Sequence, residues 1–142
     1  MKAVDTNILV YAHREDSPFH QAALDAMLAL TAGAETFAIP WPCVHEFLAI
    51  VTHPRIYKPP TPRDIAIASI SRWLRSPRCN AIGEGPGYFE RLSELLTASK
   101  VMGPQVHDAR VAAICLDHGV SALLTCDRDF SRFAALKTEN PL

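Results

Sequence analysis

Short apolar runs that alternate with longer helical segments constrain the fold of this chain more than any other feature. Runs short enough to be strands occupy residues 2–4, 36–39, 80–82, 121–125 and 135–138. Between them, apolar side chains recur at helical spacing over residues 7–13, 19–30, 44–52, 64–74, 88–98 and 105–118. Strands that alternate with helices indicate an α/β sandwich built on a mostly parallel sheet of four or five strands.

Length and composition predict one globular domain over residues 1–142. Apolar residues make up 49% of the chain and charged residues 20%, which excludes a disordered or low-complexity protein. No run approaches the ~18 apolar residues of a membrane span. The first residues, Met-Lys-Ala-Val-Asp, do not resemble a signal peptide, so we expect a cytoplasmic protein. The four cysteines lie far apart with no CxxC pair, which argues against disulfides and zinc.

Positive charge is concentrated in one part of a chain whose net charge is only -1. Residues 53–80 contain a single acid, Asp64, and six bases: Arg55, Lys58, Arg63, Arg72, Arg75 and Arg78. Such asymmetry is compatible with a surface that binds a polyanion, and we name Arg55, Lys58, Arg72 and Arg75 as the candidate binding residues of that surface. The alternative is a solvated helix face followed by loops.

Four acids stand alone in otherwise apolar segments: Asp5, Glu46, Asp108 and Asp127. Helical projection puts Glu46 at about 200° from Val44, between Ala49 and Ile50. Asp108 falls in the middle of the apolar arc of its helix. A carboxylate that faces a core is costly unless it is paired, protonated or bound to metal.

Each of these acids also has an ordinary structural explanation. Asp5 and Asp127 follow predicted strands and could cap a helix or form a turn, Asp108 could favour a helix dipole, and Glu46 could pair with a buried Arg. The four together point instead to one site, because ligands bind beyond the carboxyl ends of parallel strands. Carboxylate oxygens suit Mg²⁺ or Mn²⁺, which assist phosphodiester cleavage.

At these residues the chain resembles the PIN-domain family, and specifically its VapC-type ribonuclease toxins. The matching elements are Asp5-Thr6-Asn7 after the first strand, the isolated Glu46, the helical His107-Asp108-Ala109, and the run from Leu124 to Phe130. The resemblance covers the whole chain in order and length.

The resemblance implies a fold, a chemistry and two kinds of partner. The fold is a three-layer sandwich with strand order 3-2-1-4-5, and the activity is Mg²⁺- or Mn²⁺-dependent endonucleolytic cleavage of RNA. By position, Asp5, Glu46, Asp108 and Asp127 are catalytic and metal-binding, Asp129 is an accessory metal ligand, and Thr125 and Asn7 orient the site. A homodimer and inhibition by a small VapB-type antitoxin are implied as well. We expect the apolar segments 8–12 and 19–30 to provide the antitoxin groove, unless they are ordinary core.

Other classes of protein fit less well. The chain has no G-x-S-x-G motif and no glycine-rich phosphate loop after the first strand, and Ala49 breaks the H-E-x-x-H pattern that begins at His45. Two alternatives stay open: a metal-dependent DNA nuclease of the same fold, and an interaction module that keeps the fold without turnover.

Overall fold

The computed structural model describes all 142 residues and has a five-stranded sheet with helices on both faces. The strands are β1 (Lys2–Val4), β2 (Phe37–Pro40), β3 (Cys79–Ile82), β4 (Ala122–Leu124) and β5 (Thr138–Glu139). Their order is β3-β2-β1-β4-β5, and every neighbouring pair is parallel. The predicted α/β class and the strand order 3-2-1-4-5 are therefore confirmed.

Six α-helices connect the strands: α1 (Thr6–His13), α2 (His20–Ala32), α3 (Trp41–Val51), α4 (Arg63–Leu74), α5 (Tyr88–Ser99) and α6 (Val106–Asp117). Short 3₁₀ turns lie at Gly103–Gln105 and Arg128–Arg132. None of the helices is long and apolar enough to cross a membrane.

Helix α3 begins three residues earlier than the sequence predicts. Pro40 is the last residue of β2 and Pro42 lies in the first turn of the helix. A proline in the first turn is tolerated because that turn's N–H groups have no intrahelical acceptor. The prolines therefore mark a direct strand-to-helix junction.

The core is continuous between the sheet and both helical layers. Its largest fully buried side chains include Phe37 and Phe47, with Phe130 and Phe133 beside β4. Strand β5 lies at 138–139 and not at 135–138 as predicted, because Leu136 is buried in the preceding turn and supplies the apolar signal.

Segment 8–12 belongs to this core, so the expected antitoxin groove is wrong there. Ile8, Leu9, Val10 and Ala12 are all buried. On α2 the buried residues are Ala23 and Met27, and Leu28 is the one large apolar side chain that this helix exposes.

Candidate active site

The four isolated acids line one cavity of about 750 Å³. Asp5 follows β1 directly and caps α1, and Asp127 follows β4 after two residues. Because β1 and β4 are parallel neighbours, both acids lie at the carboxyl edge of the sheet. Glu46 reaches the cavity from α3, and Asp108 reaches it from the first turn of α6.

Asp5 is buried and accepts hydrogen bonds on both carboxylate oxygens. Its Oδ1 accepts from the backbone N–H of Thr6 at 2.8 Å and lies 3.7 Å from the Cys43 thiol. Its Oδ2 accepts from the Thr125 hydroxyl at 2.7 Å and from the Asn7 amide at 3.1 Å. This arrangement fixes the carboxylate in one orientation.

Thr125 and Asn7 connect Asp5 to the segment that carries Asp127. The Asn7 side-chain amide also donates to the Thr125 hydroxyl at 3.1 Å. That hydroxyl accepts from the backbone N–H of Asp127 at 3.0 Å. These contacts support the orienting roles predicted for Thr125 and Asn7.

Thr6 joins Asp5 to Glu46, a role that the sequence analysis missed. The Thr6 hydroxyl donates to Glu46 Oε2 at 3.1 Å, while the Thr6 backbone N–H donates to Asp5. Thr6 lies inside the Asp5-Thr6-Asn7 motif, so a signal was present. Glu46 itself is exposed at the cavity and does not face the core. The apolar arc that suggested a buried position is the wall of the cavity.

Three aspartates form the densest part of the acid cluster. One carboxylate oxygen from each of Asp108, Asp127 and Asp129 lies within 4.8 Å of the others. Asp127 also accepts from the backbone N–H of Asp129 at 2.8 Å. Of the three, only Asp129 forms an ion pair, with Arg132 at 3.6 Å. Carboxylates this close repel one another unless a proton or a cation lies between them.

Burial and mutual repulsion raise the pKa values of two of these acids. Burial raises the pKa of Asp5 to about 6, against the opposing hydrogen bonds from Thr125 and Thr6, and the charge of Glu46 adds to the rise. Burial is also the largest cause of the raised pKa of Asp108, followed by the charges of Asp127, Asp129 and Glu46. A bound cation would reverse both effects.

The cavity has other walls that the sequence analysis did not identify. Exposed His45 and His107 border it, and so does Arg110, whose guanidinium pairs with Glu84. Its apolar lining includes Tyr11 on α1 and Tyr57 from the proline-rich loop between α3 and α4. Tyr57 was not identified from the sequence as a site residue, because only the folded path of that loop brings its ring to the cavity.

The four candidate RNA-binding bases are not in this cavity. Arg75 follows α4 and lies a few residues before β3. The carbonyl of Arg78, the residue just before β3, accepts a hydrogen bond from the backbone N–H of Phe37, the first residue of β2. The end of α4 is therefore near the amino edge of the sheet, opposite the acids. Arg72 lines one surface depression with Ser69 and another with Arg75. Neither Arg55 nor Lys58 borders the acid cavity.

Comparison with known families identifies the class of protein that this fold and site define. The PIN domain model matches residues 2–136. The chain therefore belongs to the PIN domain family, as its sequence resemblance suggests.

Within that family, the curated relatives are VapC ribonucleases. Ribonuclease VapC31 of Mycobacterium tuberculosis is 32% identical over 141 residues, covering 99% of each chain. Ribonuclease VapC48 of the same organism is 28% identical over 137 residues, covering 96% of this chain and 94% of its own length. The resemblance to VapC-type proteins is thereby confirmed.

Solved structures share the fold at lower sequence identity. VapBC2 from Rickettsia felis, bound to a DNA fragment from its promoter, has a TM-score of 0.72 and 20% identity, covering 98% of this chain and 97% of the matched one. Mycobacterium tuberculosis VapC20, described as a toxin that cleaves the sarcin-ricin loop, has a TM-score of 0.69 and 16% identity, with 95% of both chains covered.

Proposed function

We propose that this protein is a Mg²⁺- or Mn²⁺-dependent endoribonuclease and the toxin of a VapBC-type toxin–antitoxin pair. The observation that carries the proposal is the convergence of Asp5, Glu46, Asp108 and Asp127 on one cavity with no cationic partner for any of them. The relatives named ribonucleases support RNA as the substrate.

The donor set fits a hard divalent cation. The ligand groups that lie closest together, Asp108, Asp127 and Asp129, are all carboxylates, whose oxygens Mg²⁺ and Mn²⁺ prefer, and they already lie within the spacing that a single ion spans. Asp108 and Asp127 would hold the ion together with Asp5 and Glu46, and Asp129 would assist. When bound, the ion would lower the pKa of a water and neutralise charge on the phosphodiester during in-line attack.

The protein's own groups prepare this site. Hydrogen bonds from Thr125, Asn7 and the Thr6 N–H favour the charged form of Asp5 and oppose the effect of its burial. The Thr6 hydroxyl fixes Glu46 on the opposite wall. In hydrolysis the water oxygen bonds to phosphorus, a ribose oxygen leaves with the bonding electrons, and the two protons pass to solvent and to that oxygen.

The decisive test compares RNA cleavage by the wild type and by Asp5→Asn. We expect cleavage in Mg²⁺ or Mn²⁺, none in EDTA, and none in the variant, since Asn preserves the shape but removes the charge. Asp25→Asn is the matched control: Asp25 is exposed on α2 and its side chain accepts only from Gln21. Equal cleavage in EDTA would contradict metal dependence.

The same assay separates the two alternatives. Cleavage of single-stranded DNA but not of RNA would make the protein a DNA nuclease of the same fold. Metal binding without cleavage of either nucleic acid would make it an interaction module. Mapping the cut sites on total cellular RNA after brief expression would identify the substrate.

The proposed partners are a small VapB-type antitoxin and a second copy of the chain. Solved relatives that are VapBC assemblies support the first. Large exposed apolar side chains in one stretch of the chain, Ile56, Ile65 and Ile67, support a protein contact there. A monomer at all concentrations in light scattering would refute the dimer. Toxicity that persists on co-expression with the neighbouring small open reading frame, without a co-purifying complex, would refute the antitoxin.

A further inference from the structure

The cavity has an apolar wall beside its acids. The wall consists of Tyr11, Ala49, Ile50 and Tyr57, and we call these four residues the tyrosine wall. Ala49 is exposed, and Ile50 and both tyrosines are partly exposed, so the wall is accessible from the cavity. Other apolar lining residues, such as Val10 and Phe130, are buried and only support it.

Helical spacing fixes the position of the wall relative to the acid end of the cavity. On α3, Glu46 and Ile50 are four residues apart, and on α1 Asn7 and Tyr11 are four residues apart. Residues at this spacing lie on one face of a helix, about 5–6 Å apart. Both helices therefore present a polar group at the acid end and an apolar group one turn further along.

Tyr57 is held in the wall by contacts from the end of α1. The Arg14 guanidinium lies 4.2 Å from the centroid of the Tyr57 ring. Arg14 also donates to the Pro59 carbonyl at 3.1 Å and to the Thr61 hydroxyl at 3.2 Å. Arg14 is in turn paired with Asp16 at 2.6 Å. The loop therefore presents the ring in a preset position, at little further cost in conformational entropy.

The volume of the cavity leaves room for more than a metal ion. Six oxygens around a divalent ion, at about 30 Å³ each, need only about 180 Å³. The cavity measures about 750 Å³. The cavity therefore has room for an aromatic group as well as an ion, and the tyrosine wall forms part of its lining.

We propose that the tyrosine wall is a base-binding subsite, on which a nucleobase of single-stranded RNA stacks while the adjacent phosphate lies at the carboxylates. This inference rests on the proposed ribonuclease function and names the part of the substrate that the site recognises. Stacking on aromatic side chains is the usual way in which proteins hold unpaired bases. Both tyrosines stay neutral, because burial is the main cause that raises their pKa values, so they add no repulsion toward the phosphate.

The test measures cleavage of a short RNA that spans a mapped cut site, with each base next to the cut replaced in turn by an abasic nucleotide. For the wild type we expect one such replacement to raise KM about tenfold, the effect of losing one stacked base. Tyr57→Leu should raise KM for the intact RNA by a similar factor. In this variant the abasic replacement should cause no further rise in KM. Tyr57→Phe should stay within about twofold of the wild type, because it keeps the ring.

Two further variants control for indirect effects. Phe89→Leu removes an aromatic side chain that is exposed on α5 and does not border the cavity, and it should leave KM unchanged. Arg14→Met removes the cation from Tyr57 and should raise KM without abolishing the abasic effect. A Tyr57→Leu enzyme that still discriminates against the abasic RNA would overturn the inference while leaving the ribonuclease function intact.

A binding measurement decides the matter even if no cut is found. Fluorescence anisotropy in Ca²⁺ would compare a random 12-nucleotide RNA with an abasic strand of equal length. If the wild type prefers the RNA over the abasic strand and Tyr57→Leu reduces that preference, the subsite is supported. If the wild type binds both strands equally, or binds neither, the inference is overturned. If Tyr57→Leu instead weakens only a co-expressed antitoxin, the wall is a protein-binding surface and not a base-binding one.

Discussion

The two edges of the sheet carry unpaired charge of opposite sign, and they arise in different ways. At the carboxyl edge, acids that are far apart in sequence converge because parallel strands end there. Toward the amino edge, Arg72, Arg75 and Arg78 are neighbours mainly because they are close in sequence, around the end of α4. None of these arginines forms an ion pair. Convergence from distant sequence positions is the stronger sign of function, since solvated helix faces collect charge without it.

The largest effect that would test this contrast is expected from Asp108→Asn. Asp108 is half-buried among other carboxylates, so the variant removes a charge that the cation needs. We expect RNA cleavage to fall at least 100-fold, because even residues that only support metal ligands cost about 10- to 100-fold. Cleavage rates at saturating Mn²⁺ would measure this.

Asp64→Asn is the matched control for that variant. Asp64 is exposed on α4 and is the single acid of the basic region. We expect its cleavage rate to stay within about twofold of the wild type. A comparable loss in both variants would mean that the carboxyl edge has no special role.

Metal-dependent stability should show the same contrast without any substrate. An ion that binds only the folded state adds about 2.7 kcal/mol at 100 times its dissociation constant. We therefore expect Mn²⁺ to raise the melting temperature of the wild type and of Asp64→Asn, but not of Asp108→Asn. Differential scanning fluorimetry with and without EDTA would detect the shift. A shift of the same size in Asp108→Asn would place the ion elsewhere.

Much of the carboxyl edge could be predicted from the sequence. Asp5 and Asp127 follow strands, and a parallel sheet brings strand ends together whatever the lengths of the connections. Asp108 was less certain, because the preceding 3₁₀ turn decides whether the first turn of α6 reaches that edge. Glu46 was identified because it lies between apolar residues of its helix, which suggested a buried carboxylate. Those apolar residues, Ala49 and Ile50, line the cavity instead.

The parts that were missed depend on contacts between distant segments. Tyr57 reaches the cavity only because Arg14 and Thr61 fix the loop, and no local pattern encodes that path. The burial of segment 8–12 likewise follows from helices packing on both faces of the sheet. Apolar composition alone does not distinguish such a core helix from a partner groove.

A smaller effect is expected from reversing the charge of the basic edge. If Arg72 and Arg75 contact phosphates, Arg72→Glu with Arg75→Glu should weaken RNA binding, raise KM and leave kcat unchanged, because both residues lie outside the acid cavity. Each lost contact should flatten the log–log salt dependence of single-strand binding by about 0.7. Lys100→Glu, which changes another exposed and unpaired base, is the control. An unchanged salt slope would leave α4 as a solvated helix face.

The smallest effect concerns His13, which joins the two regions. His13 ends α1, and its ring bonds Ser69 of α4 at 3.0 Å and Thr61 at 2.9 Å. Burial, followed by the charge of Arg14, lowers the pKa of His13 below its ordinary 6.5. The unfolded chain therefore binds the His13 proton at higher pH than the folded chain does. The stabilisation that neutral His13 gives the folded chain is complete above about pH 6.5. It is lost as the pH falls through the lower pKa that His13 has in the folded chain.

Replacing His13 with Gln removes this titration while leaving a group that can hydrogen-bond. We expect the free energy of unfolding to fall less between pH 7 and pH 5 in His13→Gln than in the wild type. Urea denaturation at the two pH values would measure the difference. Parallel pH profiles would show that His13 takes up its proton at the same pH in the folded and the unfolded chain, and so that the α1–α4 contact does not depend on its charge.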